Sequence, residues 1–319
     1  MSTEAPDMKR SIIEKRLAAW KGRTRWLAAS SGAAAAALGL GTAGLQAHGF
    51  VGERFFPPTI QTDDPFAVDE LAFPTVSTFL DPGSPPTRET DAGFSFSKEI
   101  FPRFALAFSE TYVNLAPRGM PSAHGFDNLS LNAKYQLWEN VPHEALFSIG
   151  LEAGVGGTGA RSIGAESASI LTPTLYAGKG FGDLPDALKF AKPFALTATL
   201  GEELPTSADP NALDWGFALE YSLRYLQTQV KDIGLPVPFK SMIPVVEFAM
   251  TTPENRGGGP TTGIIAPGIL YENNYFQLGA EAMIPLNRDS GGGVGAVFQL
   301  QLYIDDLWPR IFGHPLFGK

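Results

Sequence analysis

Seven charged residues stand where a two-residue alternation would throw them onto one face of a wall: Arg103, Lys134, Glu152, Glu220, Arg224, Glu247 and Glu281. The clearest stretch is Leu213–Tyr225, LDWGFALEYSLRY. Its odd positions are all large and apolar; its even positions are polar, charged or small. That pattern is an extended strand with two unlike faces, because a helix would scatter the large side chains around its circumference. Glu220 and Arg224 then share the polar face. Charges gathered inside an enclosed wall act by electrostatic selection, favouring cations or polar solutes without making or breaking bonds. Four carboxylates and three bases could instead nearly neutralise one another and pack a narrow interior shut.

Residues for covalent chemistry are sparse. The chain lacks GxSxG, HExxH, GxGxxG and GxxxxGKS. It has no cysteine, which excludes a disulfide scaffold, a thiolate–zinc site and a thiol nucleophile. Ser122, His124 and Asp127 fall in one short loop, MPSAHGFDN, where triad geometry is hard to reach. Asp305-Asp306 is either a divalent-ion pair or a solvated strand end. His48 is a weak metal candidate: cleavage after Ala47 would give it an amine beside its imidazole, a copper-chelating pair. The other histidines, at 124, 143 and 314, have no metal-ligand spacing. No catalytic residue, cofactor or firm metal site is expected, and the chain reads as a non-enzyme.

The elements that would hold the seven charges are strands. Hydrophobic residues make up 44% of the 319, and the mean hydropathy is −0.01, so no bundle of membrane helices is present. A membrane barrel hides its apolar half by alternation and leaves that average near zero. Alternation predicts twelve strands, starting near Leu71, Glu89, Arg103, Asn128, Glu144, Ser167, Lys192, Leu213, Ser241, Thr262, Tyr275 and Gly293. Their connections fall into two sets. Ile100-Phe101-Pro102, Asn140-Val141-Pro142-His143 and Asn273-Asn274 are tight turns, while GGTGARSIGAES, LPTSADPNA, TTPENRGGGPTTG and PLNRDSGGGVG are longer and polar. Gly180–Ala191 and Thr228–Lys240 break the rule by being long on the short-turn side; the second suggests a small periplasmic helix or lid. An even strand count with both termini on the short-turn side closes an all-β, membrane-spanning, up-and-down antiparallel barrel. Tyr135, Trp138, Trp215, Tyr225, Tyr271, Tyr275 and Trp308 stand near strand ends, as interfacial girdles require.

Residues 1–47 read as a signal peptide, basic up to Arg25 and then small and apolar from Trp26 to Leu45. The alternative is an uncleaved anchor helix. The leader holds seven Lys/Arg and three Asp/Glu of the chain's 24 and 33, so its removal leaves a net charge of −13. That balance argues against nucleic acid as a partner. The domain reading is a leader at 1–47, an irregular N-terminal segment at 48–70 that plugs the lumen or stays in the periplasm, a barrel at 71–305, and a periplasmic tail at 306–319. The expected partners are outer-membrane lipid, a small-molecule solute, periplasmic chaperones and the barrel-insertion machinery.

Five stretches, HGFVGERFFPPTIQTDDPF, FDNLSLNAKYQLWEN, PVVEFAMTTPENRG, APGILYENNYFQLGAEAMIPLN and IDDLWPR, carry a resemblance spanning His48 to Pro315. The chain resembles the bacterial outer-membrane family labelled MetA-pathway of phenol degradation. The resemblance implies an outer-membrane barrel linked to uptake or efflux of small, often aromatic compounds, and it brings no catalytic residue. The chain departs from the common barrel pattern in carrying Asp306–Lys319 after its last strand. The leading expectation is passive or gated passage of small solutes. The alternatives are a non-conducting barrel that binds a ligand or metal at its periplasmic mouth, and an outer-membrane hydrolase.

Overall fold

The computed structural model describes residues 49–318 except 84, 256 and 257. The leader and His48, with its metal reading, lie outside the described residues. A small hairpin, β1 (Phe50–Val51) and β2 (Arg54–Phe55), precedes the wall. The wall runs β3 (Glu70–Asp81), β4 (Thr87–Phe101), β5 (Phe104–Pro117), β6 (Ala123–Phe126), β7 (Ser130–Asn140), β8 (Ala145–Gly154), β9 (Ile170–Gly180) and β10 (Phe194–Pro205). It continues with β11 (Ala212–Tyr221), β12 (Met242–Pro253), β13 (Thr262–Glu272), β14 (Phe276–Pro285) and β15 (Gly293–Leu302).

Each strand pairs antiparallel with its neighbours, and β15 returns to β3, so the sheet closes with no free edge. Both β6 and β7 pair with β5, at Tyr112–Leu115 and Phe104–Ser109 respectively, and form one interrupted stave. The barrel therefore has twelve staves; counting the interrupted one from β7, all twelve begin within three residues of the starts read from alternation, and the short β6 segment is not among those read. Closure matters physically, because backbone amides facing hydrocarbon have no water to bond.

The two faces separate as the period of two dictates. Leu131, Leu151, Leu175, Leu200, Leu278 and Phe298 are 43–59% exposed, all on the outside. Their neighbours Asn132, Glu152, Thr174, Thr199, Gln277 and Gln299 turn inward. Large apolar side chains left open around a closed barrel form a lipid belt. The turns have local causes. Asn273 Oδ1 accepts the amides of Tyr275 and Phe276, an Asx turn that closes β13–β14.

One expectation is corrected here. The strand read over Leu213–Tyr225 ends at Tyr221. The Ser222 hydroxyl accepts the Tyr225 amide at 3.1 Å and caps a helical turn, Leu223–Tyr225, that runs on through Leu226–Val230. Leu223, Arg224 and Tyr225 thus leave the wall, and Tyr225 is buried rather than part of an aromatic girdle. The tail after Leu302 lies along the wall. Its Leu316 and Phe317 amides bond to the carbonyls of Glu99 and Ile100 at 3.0 and 2.8 Å, along the part of β4 that extends beyond β3. Phe312 packs on Phe96, and Phe317 on Phe101.

Candidate functional site

The segment before β3 enters the lumen from the turn side and comes back out. Its tip, Thr59–Asp64, reaches the middle of the wall. There Glu247, halfway along β12, accepts the backbone amides of Ile60, Gln61 and Thr62 at 2.6, 2.9 and 2.7 Å, and the Thr62 hydroxyl at 2.9 Å. Three successive amides converging on one carboxylate make an anion nest whose anion is supplied by the wall. Gln277 Nε2 on β14 donates to the Pro58 carbonyl at 2.7 Å. Gly279 makes room for the tip: a Cβ there would meet Ile60 Cδ1 at 2.4 Å. Phe55 and Ile60 pack into one apolar cluster with Ala218, Ile243, Val245, Leu270, Met283 and Val297 from β11–β15.

The root of the plug is clasped at the turn-side mouth. Arg54 is fully buried. Its Nε bonds to Glu144 Oε2 at 3.0 Å, Nη1 to the Pro193 carbonyl at 3.1 Å and Nη2 to the Lys192 carbonyl. Its guanidinium stacks 3.7 Å from the Tyr225 ring centroid, and Tyr225 OH donates to Glu144 Oε1 at 2.9 Å. Burial and the Glu144 carboxylate push the Tyr225 hydroxyl up to about 12. The long turn-side connections, Phe181–Pro193 and Ser222–Ser241, supply Pro193, Lys192 and Tyr225.

On the opposite wall the plug is held by Lys134, by the Ser148 hydroxyl, which donates to the Pro65 carbonyl, and by packing of Phe56 and Phe66 on Leu146 and Ala195; nearer the turn-side mouth Lys98 pairs with Asp69. Lys134 Nζ on β7 bonds to Asp63 Oδ1 at 2.9 Å and to the Asp64 carbonyl at 2.6 Å. Burial pushes the Asp64 carboxyl up to about 6, with Lys134 pulling the other way. Beside the Lys134 contact a narrow cavity of about 110 Å³ lies against the plug. Its lining extends from Ser109, Ser130 and Glu152 in the loop half to Ser97, Glu70 and Gln301 in the turn half, and mixes hydroxyls, amides and charges with Ile60, Phe66 and Val68 of the plug. The same Ser109, Ser130 and Glu152 form the floor of a wider vestibule of about 670 Å³ that opens among the loops. Glu110, Asp127, Glu152, Glu166, Glu203, Asp209 and Asp289 line the vestibule, and no described Lys or Arg does. A cleft lined by one sign of charge concentrates ions of the other sign.

The seven sequence-read charges have different fates. Lys134, Glu152, Glu220, Glu247 and Glu281 face the lumen. Arg103 does not: it lies in the β4–β5 turn with φ 68°, its side chain half exposed and 3.8 Å from Glu139. Arg224 sits at the turn-side mouth, where its Nη1 meets Glu272 Oε1 at 3.2 Å. Each base takes a partner outside the set of seven. Glu220, Glu247 and Glu281 line the apolar side, Lys134 and Glu152 the polar side. Asp305, read as an ion ligand or a solvated end, is buried; burial, then Asp306, pushes its carboxyl up to about 8. In the MPSAHGFDN loop the His124 carbonyl accepts the Ser162 hydroxyl at 3.0 Å, and the His124 ring centroid lies 6.1 Å from that of Tyr112. Sequence reasoning missed Arg54, Glu144 and the loop-borne vestibule carboxylates. The one available signal was that Arg54 is the sole Lys or Arg between His48 and Ala72.

A closed twelve-stave barrel with a greasy exterior and a polar lumen is a protein of the bacterial outer membrane. Among solved structures it is similar to an outer membrane channel from Pseudomonas putida F1, at 11% identity and a TM-score of 0.55, over 76% of this chain and 99% of that one. The KdgM porin aligns over 73% of this chain and 98% of its own at 9% identity, with a TM-score of 0.42. These likenesses are of fold. No family model and no curated protein matches the chain.

Proposed function

We propose that the protein is a gated channel for small neutral or cationic solutes, closed at rest by its own N-terminal segment. The observation that carries this is the Glu247 latch beside two cavities that share Ser109, Ser130 and Glu152. A plug fixed most firmly on one side by hydrogen bonds and packing, with a cavity against its other side, has the parts of a gate. The vestibule sets the sign of the solute, since its carboxylates repel anions. It also presents Pro82, Pro205, Pro210, Pro253 and Pro260, whose ring faces suit flat apolar molecules. Together with the family resemblance of the sequence, this favours neutral or amine-bearing aromatics over aromatic acids.

Planar-bilayer recording tests the reading. Deleting residues 49–69 should turn rare, small openings into steady conductance with cations preferred. Replacing Glu110, Glu166 and Asp289 by Gln, Gln and Asn should weaken that preference, most visibly at low salt, where screening is weakest. Absence of both conductance and solute flux, with or without the plug, would overturn the proposal.

A further inference from the structure

We propose that the two long turn-side connections form a foot that rests on anionic phospholipid, beyond the belt of the barrel itself. Phe181–Pro193 and Ser222–Ser241 are adjacent and touch one another. Inward they clasp Arg54. Outward they present Leu188, Phe190, Ile233, Val237 and Phe239, each 47–63% exposed. Five large apolar side chains on two neighbouring loops mark a surface that something covers.

Two observations point to lipid. First, the patch continues the belt. Tyr221 stands on the outer face of β11, next to buried Glu220, and its hydroxyl donates to the Phe190 carbonyl at 3.2 Å. Phe194, on the outer face of β10, packs edge-on against Tyr221 with ring centroids 4.7 Å apart. A barrel residue at the water–hydrocarbon boundary is thus bonded directly to the foot. Second, the charges suit an anionic surface. Lys189, Lys231 and Lys240 are exposed beside the apolar residues, and Lys189 Nζ lies 5.5 Å from the Phe190 ring centroid. Of the nearby acids, Asp186 pairs with Lys192 and Asp183 with Lys179; Asp232, which accepts the Gly234 amide, and Glu53, which accepts from Gln229, keep their charge, so the three lysines outnumber them. Apolar side chains with flanking lysines are the makings of an interfacial anchor: the rings enter the acyl boundary and the amines reach phosphate.

The absence of cysteine makes the test clean. A polarity-sensitive thiol dye is attached to Phe190→Cys, Val237→Cys and Phe239→Cys, with Ser207→Cys on the loop side as reference. Heat-modifiable gel mobility confirms that each barrel is folded. In vesicles of phosphatidylglycerol and phosphatidylcholine, spin-labelled lipid should quench the three foot positions several-fold more than position 207. The excess should fall when phosphatidylcholine alone is used, or when Lys189, Lys231 and Lys240 are all changed to Gln. Foot dyes quenched by aqueous iodide as readily as the reference would overturn the proposal. So would dyes shielded from both quenchers, the result of a protein cover, and so would quenching indifferent to headgroup charge.

Discussion

The two sides of the lumen differ in how they meet the plug. Strands β11–β15 meet it mainly dry: Ala218, Val245, Leu270, Met283 and Val297 pack around Phe55 and Ile60, Glu247 takes up the amides of the tip, and only Asp214, Gln299 and Gln301 at the flanks reach the cavity. Strands β4–β10 meet it more wetly: Ser95, Ser109, Asn132, Thr172, Thr174 and Thr199 line a cavity, Lys134 and Lys98 pair with the plug's Asp63 and Asp69, and only Leu146 and Ala195 give Phe56 and Phe66 an apolar seat. Both sides come from the same alternation, so the difference lies in which inward residues each strand carries. A lumen that were dry all round would be a solid core, and one wet all round could not hold a plug. The asymmetry is what the proposed gate requires: one side that binds the plug and a more polar side along which solute would pass.

The largest effect is expected from breaking the dry side at Glu247. Glu247→Ala removes both carboxylate oxygens and leaves the amides of Ile60, Gln61 and Thr62 without their acceptor. Hydrogen bonds to a charged group contribute about 1.5–3 kcal/mol each, and buried donors left unmade cost a similar amount. The tip should therefore detach while the barrel stays folded. Limited proteolysis within Pro57–Pro65, silent in the parent, should become rapid, and conductance should approach that of the plug deletion. A plug as resistant as the parent's would mean that apolar packing, not the carboxylate, holds the dry side.

A smaller effect is expected on the wet side. Lys134→Met removes the bonds to Asp63 and Asp64 and keeps most of the apolar stem. Asp63 is one-third exposed and can turn to water, whereas Asp64 is buried with a carboxyl already raised to about 6. Without Lys134 that carboxyl should rise further. A raised native pKa means that the folded state holds its proton more tightly than the unfolded chain, so stability is lost as pH climbs. The variant should match the parent near pH 4 and fall behind it between about pH 6 and 8, by roughly 1–3 kcal/mol. Chemical denaturation in detergent at the two pH values measures this. A deficit equal at both would place the loss in packing rather than charge.

The wall was legible in the sequence because a period of two is a local signal: β11 states it within ten residues. Where the local signal misled, a second local signal competed. Leu223 and Tyr225 keep the parity of β11, but the Ser222 hydroxyl caps a helical turn and takes Arg224 out of the wall. Arg103 lies one residue before β5, in a turn. The plug was another matter. Its irregularity, prolines and aromatics marked it as no strand, and burial was the natural demand of its phenylalanines. Its partners were not readable. Lys134 is 71 positions from Asp63, Arg54 is 90 from Glu144, and Glu247 is 187 from Ile60. Nothing around Glu247 distinguishes it from Glu281, which faces the same lumen. Only the path of the chain makes one of them the latch.

The smallest effect should come from Thr199→Val, and it tests the wet side most directly. Thr199 lines the narrow cavity, is 5% exposed, and its hydroxyl has no protein partner among the described residues. On a dry wall such an unpaired hydroxyl would be a standing penalty, and the isosteric valine would stabilise the barrel by about 1–3 kcal/mol. On a wet wall the hydroxyl bonds to cavity water, so removing it should change stability by less than about 0.5 kcal/mol. The valine would also interrupt the polar lining. Conductance of the plug-deleted barrel should then fall modestly with no change in ion preference, because that preference is set in the vestibule. A clear gain in stability would show that water does not reach Thr199, and the proposed solute path would have to lie elsewhere on the wall.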